Sequence, residues 1–165
     1  MRRQFCFSAF LLLALSLLAQ GAPGTAHASS HVLLAVVVAR NSEVVALTLP
    51  QLRRIFTGGG ASDASGQRYI PFNHSPRAAD RVGFDQVVLG LSASEVSQFW
   101  IDRKIRGLPG PPRSVDSLTL LLRLIGHLPG AITYARPSRM TSDVRVVRID
   151  GKLPGEPGYP LAFDE

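Results

Sequence analysis

Cysteine is nearly missing from this chain. Its one cysteine, Cys6, falls in the first thirty residues. From residue 29 onward there is no thiol, which excludes disulfides, thiolate metal sites and a cysteine nucleophile there. Cys6 also precedes its neighbouring apolar run, which is the wrong side for a lipid-attachment cysteine. Histidine is sparse, and His31, His74 and His127 are scattered without metal-ligand spacing. No serine lies in a Gly-x-Ser-x-Gly elbow, and no pair of carboxylates stands out. His74 adjoins Ser75 along the chain only, so a serine hydrolase would lack a nameable base. These absences predict a protein that is not an enzyme and carries no cofactor and no metal. After the first run, no apolar stretch is long enough to cross a bilayer.

What is present begins with a leader. "MRR" supplies positive charge, "FCFSAFLLLALSLL" is a 14-residue apolar run, and "AHA" at 26–28 has the small-x-small pattern of a cleavage site. This is the layout of a secretory signal peptide, 1–28, cut after Ala28. It predicts a periplasmic or secreted protein that does not span the membrane once cleaved. Residues 29–165 are enough for one domain with a real core. Arg2 and Arg3 precede the cut, so sixteen basic residues remain against twelve acidic ones, a net charge of +4. Sixteen of the full chain's eighteen basic residues are arginine. An exported protein seldom meets nucleic acid, so small anions or acidic envelope surfaces are the partners this charge suggests. Genome composition accounts for the arginine equally well.

Periodicity sets the class. "HVLLAVVVA", 31–39, is short, apolar and β-branched, and predicts one strand buried on both faces. "TLPQLRRIF", 48–56, predicts a short helix capped by Thr48, with Leu49, Leu52, Ile55 and Phe56 on one face. "TGGGASDASG" is a flexible turn. "QRYIPF", 67–72, predicts a strand whose Pro71 marks an edge or a position outside the ladder. Ser75 before Pro76 predicts an N-cap and first turn of a helix over 76–89, ended by Gly90. "SASE", 92–95, is a capping box opening a second helix that stops at Gly107. "SVDSLTLLLRLIG", 114–126, predicts a well-buried helix. "AITYA", 131–135, and "VRVVRI", 144–149, are the last two strands. The tail, 151–165, is rich in Pro and Gly and predicts irregular structure. Alternating strands and helices make the class α/β, with a mixed, mostly parallel sheet flanked by helices, over 29–150.

The order of "LTLPQLRRIFTGG", "IPFNHSPRAADRVGFDQVVLG", "SASEVSQFWIDRKIRG" and "PPRSVDSLTLLLRLIGHLPGAITYA" resembles one family throughout. It is the phosphate-binding, periplasmic-binding-protein-like family, whose best-known members are substrate-binding components of phosphate ABC transporters. "LPGAITYA" stands where members have a Pro-Gly-Ala-Ile-Gly-Tyr-type stretch. The resemblance covers about 32–149 and implies a type II periplasmic-binding-protein-like fold. The chain has length for one lobe of a two-lobed protein. Members hold phosphate partly by a Ser-Gly-Thr turn with an Arg four residues before it. Here Ser75 keeps its place, Pro76 replaces Gly, Arg77 replaces Thr, and Pro71 falls where the Arg would be.

The site residues expected on this basis are Asn73, Ser75 and Arg77 at the start of the 76–89 helix, with Thr57 and Thr133 as further ligand contacts. Phe99 and Trp100 are expected in the core, and Tyr134 half-buried. Arg103, Lys104, Arg106 and Arg113 form a basic face able to meet an acidic partner. The function expected is an exported domain that binds phosphate or a similar oxyanion weakly, in connection with phosphate uptake. The alternative is a ligand-free module docking to an envelope receptor, sensor or transporter. A lone lobe could also rebuild a cleft as a homodimer.

Overall fold

The run 31–39 folds as two strands because the chain is gripped at Leu34. Its N–H donates to the Leu161 carbonyl (3.0 Å), and its carbonyl accepts from the Tyr159 hydroxyl (2.8 Å). β1 is therefore His31–Leu33 and β2 is Ala35–Ala39. A computed structural model describes residues 31–164. The expected signal peptide, its cut and Cys6 lie outside the described residues. After β2 come β3 (Ala46–Leu47), α1 (Leu49–Phe56), β4 (Ile70–Asn73), α2 (Ala79–Phe84) with a π turn (Asp85–Leu89), and α3 (Ala93–Ile105). Then follow β5 (Arg113–Ser114), α4 (Leu118–His127), β6 (Ala131–Ala135), β7 (Val144–Val146), β8 (Arg148–Ile149) and β9 (Ala162–Asp164).

The main sheet has the order β5-β4-β6-β2-β7. β5 with β4, and β4 with β6, pair in parallel, while β2 is antiparallel to both β6 and β7. The sheet is mixed, with β2 alone running against the other strands. Pro71 lies inside β4 and is paired with Ile132, but β5 begins opposite Phe72. The missing proline N–H thus costs no ladder bond on the β5 side.

Alternation along the buried strands splits the core in two. Val36, Val38, Ile132 and Tyr134 pack on one face with Leu52, Ile55 and Phe56 of α1 and with Phe84 and Val88. Val37, Ala131 and Ala135 pack on the other with Leu121, Leu122 and Ile125 of α4. Each fully buried aliphatic or aromatic side chain contributes about 1.5–3 kcal/mol, so these stripes fix both helices to the sheet.

The segment 144–149, expected as one strand, is divided between β7 on the main sheet and β8, which pairs in parallel with β3, and four further expectations need correction. The tail is irregular only as far as Leu161; β9 then pairs antiparallel with β1, His31 facing Asp164. The helix expected from 76 starts at Ala79, with Ala78 at its N-cap and no side-chain cap bond. The buried helix expected from 114 starts at Leu118, capped by Ser117, and leaves Leu120 exposed. Phe99 and Trp100 stand on α3 outside both core clusters, and Val96 is the buried residue of that helix. Among the described residues, no helix is long and apolar enough to cross a membrane.

Candidate functional site

Parallel strands end on the same side, so β4, β5 and β6 deliver the residues that follow them to one place. In open α/β sheets ligands bind beyond the carboxyl ends of the strands. Here His74 and Ser75 follow β4, Asp116 comes shortly after β5, and Arg136 follows β6. A cleft of about 460 Å³ opens there, lined by His74, Ala78, Asp80, Leu118, Arg136 and Arg139, among others.

Its floor is buried and held by hydrogen bonds and ring packing. His74 is buried, with ring Nε2 2.8 Å from the Tyr134 carbonyl and its edge against the Tyr134 ring. The Tyr134 hydroxyl donates to Asn73 Oδ1 (3.2 Å), and the Thr133 hydroxyl donates to the Phe72 carbonyl (2.9 Å). The Tyr134 ring stacks on Phe84 at 3.7 Å. Tyr134 is fully buried, not half-buried as expected, and that burial drives its hydroxyl pKa well above the ordinary value. Behind the floor Arg81 and Asp85 form a buried pair, Nε to Oδ2 2.5 Å.

The walls carry charge of both signs. Arg136 Nε donates to Asp80 Oδ1 at 2.7 Å, in a half-buried pair. The Ser75 hydroxyl donates to the Asp116 carboxylate. Arg139 is exposed at the cleft.

The structure disperses the residues expected to act together. Ser75 is near the cleft, but its hydroxyl serves Asp116 and not a helix start. Its carbonyl closes a turn by accepting from the Ala78 N–H (3.0 Å). Arg77 is exposed on that turn. Asn73 and Thr133 are buried and hold the floor. Thr57 ends α1, where its hydroxyl donates to the Arg53 carbonyl (2.8 Å), and does not line the cleft. Sequence reasoning missed Asp80, Asp116, Arg136 and Arg139. The signal was available for two of them: a residue just past a parallel strand, in an α/β chain, is a site candidate by position alone.

Similarity to solved structures bears on the same fold. An ABC-type phosphate transport receptor from Vibrio cholerae superposes with a TM-score of 0.65 at 17% identity, over 82% of this chain and 55% of that one. The chain shares the fold of part of that receptor. A phosphate-bound protein from Clostridium perfringens matches with a TM-score of 0.59 at 21% identity, over 74% of this chain and 46% of that one. PstS from Borrelia burgdorferi gives 0.61 at 10% identity, over 82% and 56%. The chain thus spans about half the length of these proteins. No family model matches the sequence, and no curated protein does. The fold likeness agrees with the resemblance read from the motifs, and these neighbours are transport or phosphate-binding proteins.

Proposed function

We propose that this chain is an exported, non-enzymatic binding domain that holds phosphate or a similar oxyanion weakly in the cleft beyond β4, β5 and β6. The observation that carries this reading is the meeting of Arg136 and Arg139 at that cleft, beside the strand end that Ser75 follows, in a fold shared with phosphate-binding proteins. Arginine offers paired N–H donors suited to tetrahedral oxyanions. Arg77, exposed on the turn beside Ser75, adds positive charge.

Weak binding follows from the same geometry. Asp80 already holds Arg136, and Asp116 already holds Ser75. An incoming anion must displace Asp80 from Arg136, at an open face where water screens each contact. Affinity on the order of 1 mM, roughly −4 kcal/mol, is what such a site supports.

Calorimetric titration of the purified protein with phosphate and with sulfate at low salt tests this. Saturable phosphate heat that is lost in Arg136→Ala, with thermal stability retained, supports the reading. Absence of saturable heat at millimolar phosphate overturns it. The occupied donors favour the second reading, a docking module in which the cleft serves structure and a protein partner is the ligand.

A further inference from the structure

The face of α3 is the feature that neither the cleft nor the core uses. A thirteen-residue helix with a single buried residue, Val96, is unusual for a globular core, which normally covers one whole stripe of such a helix. Ile101 is 52% exposed, Ile105 78% and Leu108 45%. With Trp100, Lys104 and Pro111, two of these residues, Ile101 and Leu108, border a cleft of about 510 Å³ between the helix and the loop that follows it. The loop is held in place. Arg103 lies over the rings of Phe99 (5.6 Å) and Trp100 (5.7 Å), and its Nε donates to the Pro109 carbonyl (3.2 Å). A β-carbon on Gly58 would come within 3.0 Å of the same guanidinium, so the 57–60 turn closes on it from behind. The apolar cleft is therefore built before any partner arrives, which lowers the ordering cost of binding.

The charge around it selects the partner. Lys104 borders the cleft, and the exposed Arg106 and Arg113 lie close to it in sequence on the helix end and following strand. The acidic groups on α3 are engaged: Asp102 accepts from Gln98 (3.0 Å), and Glu95 sits in the capping box at the far end. A second copy would bring like charges face to face in a two-fold contact, which disfavours self-association.

We infer that the cleft between α3 and the 107–111 loop is a docking site for a protein segment that pairs an aliphatic or aromatic anchor with acidic residues. This does not depend on the anion reading. Trp100, the chain's one tryptophan, is a built-in reporter. Peptides would be selected from a random displayed library on the purified protein, synthesised and titrated against Trp100 fluorescence. The enriched sequences should combine Asp or Glu with Leu, Phe or Trp and shift the emission. They should bind about tenfold more weakly to Ile101→Asp and to Lys104→Glu. Both positions are solvent-exposed, and matching thermal melts would show that the fold is kept. The inference is overturned if no peptide family is enriched, or if enriched peptides are basic or indifferent to both substitutions. Concentration-dependent self-association that Ile101→Asp abolishes would overturn it in favour of a dimer. Binding to phosphatidylglycerol vesicles that Ile101→Asp abolishes would overturn it in favour of a membrane.

Discussion

Arg81 and Asp85 lie one helical turn apart, and both side chains are over nine-tenths excluded from water. Taking two charges out of water is costly, and the attraction between them offsets this only while both are present. Removing one leaves the other buried and unpaired. Arg81→Met or Asp85→Leu alone should therefore cost about 3–5 kcal/mol of stability in urea denaturation, and the double variant far less than the sum. Equal, additive losses would show that the pair is not coupled. Burial is the larger influence on Asp85 and raises its pKa, while Arg81 opposes it. The folded state then keeps that proton to higher pH than the unfolded chain does. The stabilisation is fully present below the ordinary carboxylate range and is lost as pH rises through the raised value. The stability of the native protein relative to Asp85→Asn should consequently fall as pH climbs from about 4, as read from denaturation midpoints along the acid side.

At the scale of elements, local signals were legible and long-range ones were not. Thr48 caps α1 as expected, and it does so in a full capping box with Gln51 that the sequence reading did not name. Thr48→Ala should lower stability by about 1 kcal/mol in thermal or urea melts. Ser92 and Glu95 likewise form the box that opens α3, and Gly90 and Gly107 take the left-handed φ values of 70° and 68° that helix ends use. Each of these depends on residues within one or two turns. The split of 31–39 and the existence of β9 depend on partners more than a hundred residues away, which no local pattern encodes. Phe163 of β9 packs over Gly83, where any β-carbon would collide with its ring. Ending the chain after Pro160 removes Leu161 from the core and the ladder on β1, and should lower the melting temperature by several degrees. Asp164→Asn, which removes an exposed partner of His31, should change it hardly at all, since such pairs contribute less than about 1 kcal/mol. If the two changes had equal effects, the strand pairing would not be what holds the tail.

At the scale of the whole molecule, the direction of the strands decides where chemistry can happen. The alternation of elements made the α/β class readable, and the motif order drew attention to the stretch 73–77, which begins at the last residue of β4. It could not show that the chain there makes a turn and starts its helix three residues late, so that Ser75 meets Asp116 across 41 residues. That contact also sets how the cleft should respond to anions. Asp116 occupies the Ser75 hydroxyl and places a negative charge at the strand ends that border the cleft. Asp116→Asn removes the charge and keeps a side chain of the same size whose amide oxygen still accepts from the Ser75 hydroxyl. Taking away one like charge from a partly solvated site is worth on the order of 1 kcal/mol, about fivefold in affinity. Phosphate should therefore bind Asp116→Asn about five times more tightly than the native protein at low salt. The advantage should shrink as ionic strength approaches about 0.15 M, where charges more than about 8 Å apart are screened. Titrations at the two salt concentrations measure this. An Asp116→Asn protein that binds phosphate no better than the native one would place the anion away from the Ser75–Asp116 contact.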